Sequence, residues 1–422
     1  MPLNLFANEP TTVPTAGVPH TTTPHTPVPS INVPHIIVAS ASVPSSPATK
    51  SRICIALPFA RQLLNGSPGY FGGAEVRGIT FLKGLAKNPA FDVHVVVMDN
   101  GTVPATRDDG ITVHHRPNVS FFEGHQDSST RSIWANVNAD VYMAFGANEA
   151  TSELARFCEA FDRPLVVSLA SEMSFAPFVY EKSTESDPYG VEGQYTWYGM
   201  AHAHELVVQT EHQQKLVRER LHRESTLIRN PAPIGTRSAA RRAPEYGGRI
   251  LWIGRTDPNK RHNEALALAE ALPHRSMIMV CNNIESNNPG MIHRLQERFP
   301  NLMLADQIPL PDVDDLFRFS DVLVNTSVVE GFPNTFLQAG MHGLPIVSMA
   351  VDPDGVLCSF GCGRVANGTR ADFVRCVEEM LTDNTSYAAA SSASVRLLHE
   401  RHDADARIAE LAALLGRVAV AG

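Results

Sequence analysis

The sequence predicts an α/β fold: two Rossmann-like domains facing a cleft, preceded by a disordered tail. Three observations predict it. Short apolar runs alternate with helical stretches through residues 51–235, and a second such alternation fills residues 236–385. This is the pattern of parallel strands joined by crossover helices. A stretch rich in proline, glycine and arginine, residues 230–248, separates the two blocks.

Residues 1–50 hold ten of the thirty prolines, and Glu9 and Lys50 are their only charged residues. Such a segment buries too little apolar surface to offset its ordering entropy, so it reads as a disordered tail. It lacks the basic start and continuous apolar core of a signal peptide.

Order is expected from Arg52. Ile53-Cys54-Ile55-Ala56-Leu57 is a short buried strand that ends at Pro58. A loop with Gly66, Gly69, Gly72 and Gly73 comes next, and then a helix from Ala74 to Lys87. Strand, glycine loop and helix form the first unit of a doubly wound sheet. Further strands read at Phe91–Met98, Ile111–His115, Val141–Phe145, Leu165–Leu169 and Leu206–Val208. Thr210 with Gln213 three residues later predicts a capping box. The helix after it carries Lys215, Arg218, Arg220 and Arg223, interspersed with Glu211, Glu219 and Glu224. A solvated face is the stronger reading, with weak peripheral membrane contact the alternative.

The second block opens on the strand Arg249–Gly254. Arg255 and Lys260 flank the turn Thr256-Asp257-Pro258-Asn259, and Glu264–Leu272 is helical. Strands at Met277–Cys281, Leu302–Leu304 and Val322–Val324 lead to Glu330. This places Glu330 just past the carboxyl end of a strand, where open α/β sheets bind ligands. From Glu330 the chain runs Gly331-Phe332-Pro333-Asn334-Thr335-Phe336-Leu337-Gln338, then Gly343 and the strand Ile346–Ser348. Pro333 suits the first turn of a helix and Gly343 the position just past its end. The N–H groups of such a helix start favour an anion.

Composition narrows the function classes. No apolar run approaches the ~18 residues of a membrane span. The net charge of −9 argues against nucleic acid as the main partner. Six cysteines scattered over 422 residues fit reduced thiols and a cytoplasmic location. Cys358 and Cys362 alone are close, which is too little for a metal site.

The run from Glu330 to Ser348 resembles the signature of retaining glycosyltransferases of family 4, which have the GT-B fold. In that family a Glu, seven residues and a second Glu bind the donor. The first lies against the donor sugar and is matched by Glu330. The second binds the ribose hydroxyls, and Gln338 stands in its place. Gly331, Phe332, Pro333, Asn334 and Thr335 match closely, as does Val351-Asp352-Pro353-Asp354-Gly355. Gly72 and Gly73 resemble the family's glycine loop, which faces the donor. Gly254, Arg255 and Lys260 resemble its diphosphate grip. A histidine frequent in the family after the strand Val141–Phe145 is missing. The resemblance implies that residues 386–422 cross back to the first domain.

It also implies a metal-independent retaining hexosyltransferase without a cofactor. Catalysis would rest on Glu330, Arg255 and Lys260. Its partners would be a nucleotide-sugar donor and a glycan, lipid-linked or small-molecule acceptor. A nucleotide-sugar epimerase and a non-catalytic nucleotide-sugar-binding protein are the alternatives. From the tail's composition, a chain beginning at Lys50 is expected to melt at the same temperature as the full chain. A clearly lower midpoint, read by circular dichroism, refutes this.

Overall fold

The computed structural model describes residues 50–66, 72–99, 106–117, 128–233 and 239–421. Apart from Lys50, the expected tail lies outside the described residues, as does Gly69.

The first half forms an eight-stranded sheet. Its strands are β1 (Ser51–Ala56), β2 (Phe91–Asp99), β3 (Thr106–Asp108), β4 (Ile111–Pro117), β5 (Val141–Phe145), β6 (Leu165–Ser168), β7 (Glu205–Val208) and β8 (Thr226–Leu227). The spatial order is β3-β4-β2-β1-β5-β6-β7-β8. Every pairing is parallel except β3 with β4. The second half forms a six-stranded, all-parallel sheet of β9 (Ile250–Arg255), β10 (Met277–Asn282), β11 (Leu302–Ala305), β12 (Val322–Asn325), β13 (Ile346–Ser348) and β14 (Gly363–Val365). Its order is β11-β10-β9-β12-β13-β14. Each sheet therefore reverses its winding once, between β1 and β5 and between β9 and β12. The crevice at such a reversal is where doubly wound sheets take ligands.

Strand alternation builds a core on each face. Ile53 and Ile55 pack with α2 (Gly73–Ala86), through Phe81, Leu82 and Leu85. Cys54 and Ala56 pack towards α3 (Ser128–Val137) and α4 (Glu149–Ala160). In the second sheet Ile250 and Trp252 share one core with α7 (His262–Ala271), while Leu251 shares the other with α11 (Asn334–Met341).

The chain then crosses back. After α12 (Arg370–Thr382) and α13 (Asn384–Arg401), helix α14 (Ala404–Ala421) buries Leu411, Leu414 and Leu415 in the first half's core. The approach depends on Gly84 of α2, where a Cβ would lie 2.3 Å from Ile408 Cδ1. Beside this crossing, the Ala232 N–H donates to the His402 carbonyl at 2.8 Å. Past the undescribed residues 234–238 the connecting stretch is anchored. The fully buried Asp321 carboxylate accepts from the N–H groups of Glu245, Tyr246, Gly248 and Arg249 at 2.7–3.1 Å. No helix is long and apolar enough to cross a membrane among the described residues.

Three local expectations change. The short strands β3, β8 and β14 carry too few apolar residues to announce themselves. Pro333 is the N-cap of α11, with ψ of 124°, and the helix begins one residue later at Asn334. Both backbone groups of Phe332 are held from outside the helix, and Pro333 stays extended ahead of it. The capping box is also shifted. Thr210 Oγ1 accepts from the Gln213 N–H at 3.0 Å, but Gln213 Oε1 reaches back to the N–H of Gln209, not of Thr210.

Each buried leucine contributes about 1.5–3 kcal/mol. Three together approach the whole ~5–15 kcal/mol of a domain's stability. A chain ending at residue 403 is therefore expected to lose its cooperative thermal transition. A transition retained near the full chain's midpoint, followed by circular dichroism, would show that α14 contributes little.

Candidate active site

The reversal of the second sheet brings the charged candidates together. Arg255 ends β9, and Glu330 lies just beyond β12, the strand beside it. Between Arg255 and α7, a turn is stitched to the loop after β12. Asn259 Nδ2 donates to the Val329 carbonyl at 2.8 Å, and Asn259 Oδ1 accepts the Val329 N–H at 2.9 Å. Arg261 Nε donates to the Thr326 carbonyl at 2.7 Å, and Thr326 Oγ1 donates to the Lys260 carbonyl at 2.5 Å. Fixed in this way, Lys260 Nζ contacts Glu330 Oε1 directly. Asp257 orders the other side. Its Oδ2 accepts from Arg255 Nε at 3.1 Å and its Oδ1 from the Lys260 N–H at 2.9 Å. Each cation thus rests on a carboxylate. A more highly charged anion would take over both contacts, since cations grip a diphosphate through charge-assisted hydrogen bonds.

The loop after Glu330 is positioned by the other half of the chain. The Phe332 N–H donates to Gln209 Oε1 at 3.0 Å, and its carbonyl accepts from Asn230 Nδ2 at 3.0 Å. Gln209 Nε2 in turn donates to the Leu169 carbonyl at 2.7 Å. The same carbonyl accepts from Nη1 of the buried Arg77 at 3.0 Å. His402 Nδ1 is paired with the Asn230 carbonyl at 2.8 Å. Its burial pushes the imidazole down to about 3, so it is neutral and serves as a fixed structural partner. Asn334 Nδ2 donates to the Gly73 carbonyl at 2.8 Å, which joins the glycine loop to the start of α11. Gly331 lies so close to Ala170 that a Cβ would sit 2.6 Å from its carbonyl oxygen.

Not every expected residue is available to a ligand in the expected way. The Phe332 N–H is consumed by Gln209 and Pro333 has none, so of the expected donors at this helix start those of Asn334 and Thr335 are left. The Gly72 N–H is taken by Glu75 Oε2 at 2.8 Å. Gly254 lies under Trp252, whose ring a Cβ would meet at 2.6 Å. Gln338 is half-buried on α11.

Residues that were not among the expected site residues surround these groups. Glu172 opens a 3-10 turn after β6, and its N–H donates to the Glu330 carbonyl at 3.4 Å. Its carboxyl is pushed up to about 7 by burial, then by the charges of Asp354 and Glu330. His212 Nε2 is 3.9 Å away. Asp354 comes from the second half. Its carboxylate accepts the N–H groups of Glu211 and His212 at 3.0 and 3.3 Å. These open α6 (Glu211–Leu221), so Asp354 complements that helix dipole. Arg229 Nη2 adds a contact at 3.4 Å. Tyr189 reaches Arg255 from a loop of the first half. The one local hint of Tyr189 is an aromatic between Pro188 and Gly190, a turn tip with no reason of its own to carry one.

Comparison with known proteins identifies the fold. Residues 247–383 match the family model described as Glycosyl transferases group 1. No curated protein matches the chain in sequence. Among solved structures, a sucrose-phosphate synthase from Thermosynechococcus elongatus superposes with a TM-score of 0.72 at 13% identity, covering 88% of this chain and 100% of that one. An E. coli trehalose-6-phosphate structure bound with UDP-2-fluoro glucose gives 0.63 at 11%, covering 87% and 99%. WaaG, a glycosyltransferase involved in lipopolysaccharide biosynthesis, gives 0.58 at 16%, covering 86% and 99%. The chain has the GT-B fold.

Glu172 makes stability depend on pH. Below about pH 4.5 its carboxyl is protonated in both folded and unfolded chains. As pH rises, the unfolded chain ionises first and the folded one holds its proton until about pH 7. Stability therefore falls across that window, by roughly a few kcal/mol, and stays lower above it. Glu172→Gln, neutral throughout, should melt close to wild type at pH 5 and several degrees higher at pH 8. A constant difference between the two pH values removes the effect.

Proposed function

We propose that this protein is a glycosyltransferase that moves a sugar from a nucleoside-diphosphate donor to an acceptor hydroxyl with retention of anomeric configuration. The observation that carries the reading is the convergence of Arg255, Lys260 and Glu330 at the β9/β12 reversal, inside the region that matches group 1 glycosyl transferases. The diphosphate leaves as the anomeric bond breaks, and two fixed cations beside it stabilise the charge it gains. They supply that charge without a metal. The N–H groups of Asn334 and Thr335, at the start of α11, add to it. Glu330 holds the sugar hydroxyls and faces the positive charge that builds on the ring. Once Lys260 turns to the diphosphate, the Glu330 charge is released to the sugar at the moment the donor is seated.

UDP-linked sugars are the first donors to try, because the E. coli neighbour is bound with UDP-2-fluoro glucose. Gln338 is placed at the ribose, where an amide offers both donors and an acceptor to the hydroxyls. The acceptor is a glycan, a lipid-linked sugar or a small molecule taken up by the first half. A cytoplasmic location with weak peripheral membrane contact suits any of them. A non-catalytic nucleotide-sugar-binding role is the second reading, and Gln338 in place of the carboxylate is the feature that favours it.

The test is release of nucleoside diphosphate from a panel of UDP-, GDP- and ADP-sugars by the full chain with mixed acceptors. Glu330→Gln keeps the shape and removes the charge. Turnover is expected to fall roughly 100-fold or more, the scale of one electrostatic catalytic group. Donor affinity should move only a few-fold, because the contact strengthens in the transition state. Donor binding without turnover in wild type supports the second reading, and normal turnover in the variant removes Glu330 from the mechanism.

A further inference from the structure

Tyr189 stands at the tip of a tight loop in the first half of the chain. The Asp187 carbonyl accepts the Gly190 N–H at 3.0 Å, and Asp187 Oδ1 accepts the N–H groups of Tyr189 and Val191 at 2.8 and 2.9 Å. Ser186 and Glu192 pair across the base of this loop. The tip is thus rigid, yet the ring it carries is 48% exposed. What holds the ring is Arg255. Nη2 donates to the Tyr189 hydroxyl at 3.3 Å, and the guanidinium carbon lies 5.2 Å from the ring centroid. Arg255 is therefore held on two sides, by Asp257 through Nε and by Tyr189 through Nη2. Nη1 has no hydrogen-bond partner among the described residues.

A phenol has one O–H to donate and lone pairs to accept. Tyr189 accepts from Arg255, so its own proton remains to be donated. Burial, then the Asp257 charge, pushes the phenol upward, so that proton is retained at neutral pH. A guanidinium and a phenol O–H side by side form a donor pair that fits adjacent oxygens of an anionic group.

We propose that Tyr189 is a donor-binding residue that the first half of the chain supplies to the second half's site. Its ring fixes the Arg255 fork, and its hydroxyl donates to an oxygen of the nucleoside diphosphate that Arg255 grips. This rests on the donor reading above. It makes diphosphate recognition a joint product of both halves, so the donor is held fully only when the two are together.

The probes are UDP, GDP and ADP with their nucleosides, titrated calorimetrically into the full chain. Wild type is expected to bind one diphosphate more tightly than its nucleoside. Tyr189→Phe keeps the ring and should weaken that diphosphate by roughly 10-fold, the scale of a hydrogen bond to a charged group. Tyr189→Ala should lose a further ~2- to 5-fold with the cation–π contact. Nucleoside affinity should be unchanged in both. If wild type binds a diphosphate and Tyr189→Phe binds it equally well, or if nucleoside affinity falls in parallel, the inference is overturned and the donor reading survives. A wild type that binds none of the three diphosphates overturns both.

Discussion

One residue clamps the loop after Glu330 to the other half of the chain. Phe332 gives its N–H to Gln209 and its carbonyl to Asn230, both from the other half of the chain. These contacts are buried, so neither can be exchanged for water without a cost of about 1–3 kcal/mol per orphaned group. Glu330 is two residues before Phe332, and α11 begins two residues after it. The clamp has its own support, because Gln209 is fixed at the Leu169 carbonyl and Asn230 beside His402. The first half therefore shapes the second half's loop in addition to facing it.

Arg255 rests on Asp257 and Lys260 on Glu330, and both pairs are part-exposed, which is what the proposed exchange for a diphosphate needs. Elsewhere the protein handles charge differently. Asp321 is solvated by a ring of backbone N–H groups, and Arg77 by carbonyls and the faces of Phe81 and Phe145. These two hold strand ends and linker in place. Their main partners are backbone groups that no ligand can displace. The difference between a tradeable ion pair and a fixed one separates the site from its scaffold.

What was legible in the sequence was local. The apolar runs at Val141–Phe145 and Ile346–Ser348 read as strands with the bounds they have in the fold, because burial on both faces leaves an unbroken apolar signature. Arg255 and Lys260 read as a pair through the resemblance of their motif, and Glu330 through its own motif and its place just past a strand end. Tyr189, Gln209, Asn230 and Glu172 did not read as site residues. Each acts on a residue far along the chain, 66 positions away for Tyr189 and 123 for Gln209, and no periodicity records such a distance. The shifted cap at Gln213 is a local change by contrast, since its side chain takes the N–H four residues back, at Gln209, in place of the one three back. Only the packed molecule displays that layer of the site.

Because α14 completes the core of the first half, that core is closed only by residues 404–421. A ribosome extends a chain at ~5–20 residues per second, so roughly 10–40 s separate the emergence of Leu227 from that of Leu411. Through that interval the face built from Ile55, Leu82 and Leu85 lacks its cover. The second half's last strand, Gly363–Val365, also precedes α14, so both sheets have all their strands while that face is still open.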